Sequence, residues 1–143
     1  MTMRKILVPL DGSDNSRRAL LFAIGLAQDN PLIELLLLNV QPSIESALVR
    51  EFISTELINK HYYEQGMKIL APAETLASEA GVRFAAKTMA GAPAHIIADC
   101  VKQEDCDHIV MGTRGMGTLE SIVLGSVASK TIHLAAVPVT VVK

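Results

Sequence analysis

The sequence predicts an α/β fold: a five-stranded parallel sheet with helices on both faces. Three observations carry that expectation. Strand-like and helix-like segments alternate along the whole chain, with no linker-like or low-complexity stretch between them, and such alternation calls for parallel strands joined by right-handed crossovers. The strand-like segments are nearly continuous apolar runs, the pattern of strands buried on both faces. Half of the 143 residues are hydrophobic, enough to give one domain, residues 1–143, a substantial core.

Arg4–Leu10 reads as the first strand. Pro9 near its end has no amide to give a ladder, so that end is expected at an edge of the pairing or beside a site. After Asp11-Gly12, Ser13 is placed to cap a helix in which Leu20, Ala23, Ile24 and Ala27 recur at helical spacing. Asn30-Pro31 stops it. Leu32–Val40 is the second buried strand. Gln41-Pro42-Ser43 then opens a longer segment, from about Ile44 to Ala80, that is helical by composition. Its first part, Ile44–Lys60, is expected to be irregular because its apolar stripe is poorer and β-branched residues are frequent. Gly81 is the natural stop. Val82–Met89 follows as a third strand, and Pro93–Lys102 as a helix with proline in its first turn. Asp107–Met111 is the fourth strand, Ser126–Ala135 a helix, and Val137–Val142 a final strand.

Composition excludes several function classes. A net charge of −2 without any long basic run argues against nucleic acid as a main partner. Aromatics at 3% are too few for a base-stacking surface. The apolar runs are far too short to span a bilayer, and Met1–Ile6 leads into a strand rather than a secretory signal, so a cytoplasmic protein without membrane contact is expected. Cys100 and Cys106 lack the spacing and companion ligands of a redox or zinc pair and read as buried side chains. His61, His95, His108 and His133 share no metal-like spacing and form no triad with serine and carboxylate. No catalytic residue and no protein metal site is therefore assigned.

The most informative stretch runs from Met111 to Ser126. It begins where the apolar run His108–Met111 stops and ends where a helical pattern begins. A buried strand, a glycine-rich loop and a helix N-terminus in that order form an anion-binding device: glycines let backbone amides approach phosphate oxygens, and the helix end adds free donors and partial positive charge. Ser126 sits where an N-cap hydroxyl would, with a phosphate as its alternative partner. A P-loop would need Gly-Lys, which occurs nowhere in the chain. A dinucleotide fingerprint would need the short glycine gap first, whereas Gly112, Gly115 and Gly117 give the reverse.

Gly112 and Gly115 are separated by two residues, Gly115 and Gly125 by nine, and Ser126 follows at once. This spacing resembles the ATP-binding signature of the universal stress protein family. Ile6–Ser13, Gly91–Ala94 with Ile96 and Ile97, Asp107–Gly112 and Val137–Val142 resemble that family's other segments in the right order. The resemblance implies the strand order 3-2-1-4-5, in a Rossmann-like, adenine nucleotide alpha hydrolase-like sheet. Pro9–Asp11 and Met111–Gly115 would then face each other across one crevice, at the switch point where such sheets bind ligands.

Carried over residue by residue, the resemblance places Asp11 and Val40 on the adenine and ribose side, with Pro9 and Met111 as apolar walls. Gly112 and Gly115 would admit ribose and phosphates closely, with Arg114 within reach of a phosphate. Gly125, Ser126 and Val127 would offer amides and a hydroxyl to the phosphate chain. The ligand implied is ATP or another adenine nucleotide, with Mg²⁺ or Mn²⁺ held by the phosphates. The function implied is a regulatory module of the stress response, acting on an unidentified protein partner. It would be a homodimer through Val137–Val142, an apolar strand at the sheet edge. Two other readings stand beside it. One is a slow ATPase or self-phosphorylating enzyme, which lacks a P-loop lysine and has only Asp11 as a carboxylate in the crevice. The other is an interaction protein that binds no nucleotide.

Overall fold

The computed structural model describes residues 3–43, 51–113 and 124–143. Along them run β1 (Lys5–Pro9), α1 (Asp14–Asp29), β2 (Glu34–Gln41), α2 (Thr55–Glu79) and β3 (Arg83–Ala90). They are followed by α3 (Pro93–Gln103), β4 (His108–Gly112), α4 (Ser126–Leu134) and β5 (Val139–Val142). All strand pairs are parallel, and the five strands lie in the order β3-β2-β1-β4-β5. Both the expected fold class and the expected strand order hold.

Alternate residues of the central strands feed two separate cores. Ile6, Val8, Leu35, Leu37 and Val110 pack with Ala19, Leu20 and Ala23 of α1 and with Leu70 and Ala77 of α2. Leu7, Leu36, Leu38, Ile109 and Met111 pack with Ile97, Cys100 and Val101 of α3 and with Ala128 of α4. Each face therefore carries two helices. This explains why the strands are apolar at every position instead of alternating, since each buried side chain contributes about 1.5–3 kcal/mol on whichever face it lands.

Local chemistry sets the element ends. The Ser13 hydroxyl oxygen accepts the Ser16 amide at 3.1 Å and starts α1, as its position predicts. Gly81, at φ +72°, closes α2: its amide donates to Ser78 O and the Val82 amide to Ala77 O, a Schellman pair in a conformation that favours glycine. The same motif ends α3, where the Cys106 amide donates to Val101 O at 2.9 Å, but there Asp105 occupies the left-handed position at φ +53°.

Two expectations need correction. Helix α2 begins at Thr55 rather than after Lys60, because the Ser54 hydroxyl caps the Leu57 amide at 3.2 Å and holds a first turn that its weak apolar stripe did not advertise. The helix also runs through Pro72. The last strand starts at Val139, not Val137, because Pro138 lacks an amide and serves only as an acceptor, for the Ile109 amide. Of the segment expected to be irregular, residues 44–50 lie outside the described residues.

A candidate nucleotide crevice

The site forms where the two central strands part. β1 pairs with β4 only at Ile6 and Leu7, while its pairing with β2 continues to Pro9 opposite Leu38. The Leu10 amide donates to Leu38 O at 2.8 Å, so the neighbouring Pro9 faces the other way, toward β4, where the ladder has already ended. The missing amide of Pro9 thus costs nothing there, and the residue lies beside the crevice. That crevice, of about 490 Å³, opens at the carboxyl ends of β1, β2 and β4. Its size is in the range of small-molecule sites.

Pro9, Asp11, Val40, Met111, Gly112, Gly125, Ser126 and Val127 all line this crevice. Arg114 and Gly115, together with the rest of residues 114–123, lie outside the described residues. The site assembles from four elements. Asp11 follows β1 and uses Oδ1 to accept the Ser13 amide at 2.9 Å, which steadies the turn into α1. Val40 lies near the end of β2. By strand alternation its N–H and C=O face the β1 side, but the β1–β2 register has closed at Leu38, so no ladder partner remains for them. Gln41, the next residue, faces β3 and accepts the Gly91 amide at 2.9 Å.

The N-terminus of α4 supplies the opposite wall. Here the structure corrects the sequence: Gly125, not Ser126, is the N-cap, and Ser126 is the first helical residue. The Ser129 amide is the first to reach back into the helix, to Gly125 O at 2.9 Å. The amides of Ser126, Val127 and Ala128 therefore have no intrahelical acceptor, and no side chain caps this end. Gly and Ser are both favoured N-caps, so the sequence Gly125-Ser126 did not discriminate between them. The Ser126 hydroxyl is consequently not spent on capping.

Gly112 has a structural reason of its own. A Cβ there would lie 2.9 Å from the Asn15 carbonyl carbon and 3.0 Å from its oxygen, so glycine at this position lets the first turn of α1 approach β4. Thr113 fixes the surroundings. Its amide donates to Val142 O at 3.0 Å, its carbonyl accepts the Gly125 amide at 2.7 Å, and its hydroxyl donates to Asn15 Oδ1 at 2.8 Å. The residue on either side of the glycine loop is thereby joined at its base.

Sequence reasoning missed Thr113, Asn39 and Gln41, all of which line the crevice. Asn39 is 2% exposed and donates from Nδ2 to Leu10 O at 2.8 Å, binding the end of β1 to β2. A lone asparagine in the apolar run Leu35–Val40 was the available signal, since a buried amide needs a partner. Ile69, Pro93 and Ile97 add apolar lining from α2 and α3.

The other residues considered for chemistry lie elsewhere. Cys100 and Cys106 are buried in the α3–α4 core. Burial pushes both thiols up, that of Cys106 to about 12, which disfavours the reactive thiolate. His108 places Nε2 2.7 Å from Thr140 Oγ1, and burial lowers its pKa. His95 and His133 are exposed on their helices, and His61 lies against Tyr62 with ring centroids 6.2 Å apart. Lys130 is exposed. Among the described residues no group of three or more His, Cys, Asp or Glu side chains is placed to hold a metal. Nor is any described helix long and apolar enough to cross a membrane.

Comparison with known proteins decides the family, because the Universal stress protein family model matches residues 2–143. The chain belongs to the universal stress protein family. Universal stress protein MJ0531 of Methanocaldococcus jannaschii is 38% identical, over 98% of this chain and 82% of its own length. The solved structure of hypothetical protein MJ0577 is 29% identical and superposes with a TM-score of 0.83, covering 100% of this chain and 97% of that one. A universal stress protein family member from Arabidopsis thaliana, solved with AMP bound, has the same fold at 24% identity and a TM-score of 0.70, covering 97% of this chain and 90% of that one. Family membership and fold are thus established together.

Proposed function

We propose that this universal stress protein belongs to the glycine-signature branch and binds ATP, or a related adenine nucleotide, in the crevice between β1, β2 and α4. The observation that carries this is the convergence of unspent backbone groups on one cavity. At one wall stand the N–H and C=O of Val40; at the other stand the amides of Ser126, Val127 and Ala128. A donor beside an acceptor suits adenine, whose amine and adjacent ring nitrogen present the complementary pair. Helix N-terminal amides suit phosphate.

In this arrangement Asp11 meets the ribose and Pro9 and Met111 flank the base. Gly112 and Gly115 let the chain approach the sugar and phosphates, and Arg114 adds a cation. Gly125, Ser126 and Val127 take the phosphate chain. Asp11 is the one carboxylate among the described lining residues, so Mg²⁺ or Mn²⁺ would be carried by the phosphates rather than by a protein cage. The chain acts as one domain and as a homodimer through Val137–Val142: among the described residues β5 has a neighbour on one side only, and Val141 is 38% exposed. Nucleotide occupancy then regulates a protein partner in the stress response.

Native mass spectrometry of the purified protein, with release and identification of retained small molecules, tests this directly. A dimer that carries, or takes up, one adenine nucleotide per protomer is expected. A ligand-free protein indifferent to added ATP would favour a purely protein-interacting role. Asp11→Ala is expected to weaken adenosine binding without unfolding the sheet; an unchanged affinity would remove Asp11 from the site.

A further inference from the structure

The hydrogen bonds at the end of β2 fix which way two side-chain amides face. A backbone carbonyl only accepts, so the group of Asn39 that meets Leu10 O at 2.8 Å is its NH₂. Asn39 Oδ1 is thereby left as an acceptor, and the Gln41 group 2.8 Å from it is the donor Nε2. The chain Leu10 O, Asn39, Gln41 thus has one polarity, set at its buried end by Asn39 at 2% exposure. What remains of the Gln41 amide is Oε1, an acceptor, and the second hydrogen of Nε2, on a half-buried residue that lines the crevice beside Val40. A glutamine free to flip could exchange the places of Oε1 and Nε2; here the bond to Asn39 keeps Nε2 on the Asn39 side and so fixes the position of Oε1.

Resting on the nucleotide-binding function proposed above, we infer that Gln41 is a specificity-determining residue for the base, its Oε1 accepting from the exocyclic amine of an adenine. A base that carries a carbonyl oxygen at that position would set two acceptors against each other and is disfavoured. Backbone groups of Val40 orient the base, and Gln41 adds a side-chain readout that depends on this sequence. Asn39 is a positioning residue, acting only through Gln41.

The test is calorimetric titration of the parent and of Gln41→Met with ATP and with ITP, which differ at the base in having an amine or a carbonyl oxygen. The parent is expected to favour ATP. Gln41→Met is expected to lower that preference by roughly threefold to tenfold, the size of one hydrogen bond, through weaker ATP binding and relief of the acceptor clash with ITP. Asn39→Leu, which frees the Gln41 amide to flip, is expected to lower the preference in the same direction. An unchanged ATP-to-ITP ratio in Gln41→Met would overturn the assignment. Equal losses of ATP and ITP would also overturn it, by moving the contact to the sugar or phosphates. A parent protein that binds neither nucleotide would overturn the nucleotide-binding function itself, which separates the two failures.

Discussion

The two ends of the sheet use their polar groups in opposite ways. At the amino ends the groups are mostly spent on one another, although Asp107 Oδ1 is buried without a partner among the described residues. Asp107 Oδ2 accepts the amides of Arg4 at 2.8 Å and Lys5 at 3.1 Å, stapling β1 to β4. Glu104 meets Lys87 at 3.0 Å and Lys5 at 3.7 Å. The bond from Lys87 lowers the Glu104 carboxyl pKa, and the same bond raises that of Lys87. At the carboxyl ends the Val40 backbone pair and the first-turn amides of α4 have no partner within their own elements. Satisfied ends hold a sheet together, and unsatisfied ends are available to a ligand. Stability and binding should therefore separate along the strand direction.

Gly112 is the one crevice residue expected to break that separation. Gly112→Val drives a side chain into the Asn15 backbone, at a cost of about 3 kcal/mol, the upper range for overpacking. Urea denaturation should show a large fall in midpoint, with binding lost as a consequence. Asp107→Ala sharpens the comparison from the other end. It strips the Arg4 and Lys5 amides of their acceptor and should cost about 2 kcal/mol, while the folded fraction is expected to bind nucleotide as the parent does.

His108 gives a pH dependence whose sign follows from its surroundings. Burial lowers its pKa below 6.5 in the folded protein, so folding favours the neutral ring. The stability this provides is full above pH 6.5 and is lost as pH falls through the lower folded value. Relative to His108→Gln, the parent should lose stability between pH 7 and pH 5, read from urea midpoints at each pH. The smallest expected effect is a gain. Asp105→Gly relieves a left-handed residue at φ +53° in the α3 C-terminal turn and should add about 0.5–1 kcal/mol.

Much of this architecture was legible in the sequence because doubly buried strands advertise themselves as apolar runs. Ile6–Val8 and Leu35–Leu38 were unmistakable, and glycine at position 81 marked the end of α2. Ends governed by a single hydrogen bond were not legible in the same way. Ser54 capped α2 inside a stretch without an apolar stripe, and Pro138 shortened β5. For the crevice, the glycine spacing pointed to the carboxyl end of β4, one of the strand ends at which the crevice opens. The Asn39–Gln41 chain escaped notice because its partner Leu10 is 29 residues from Asn39, and only the β1–β2 register brings them together. Gly112 was assigned to ligand approach, and its packing against Asn15 became visible only once α1 was in place.

The most direct test is an amide NMR titration of the protein with ATP. The amides of Val40, Ser126, Val127 and Ala128 are predicted to shift together with one saturating affinity, while those of Arg4 and Lys5 at the opposite end stay still. Saturable shifts confined to the amino ends, or none at millimolar ATP, would contradict nucleotide binding at the carboxyl-end crevice.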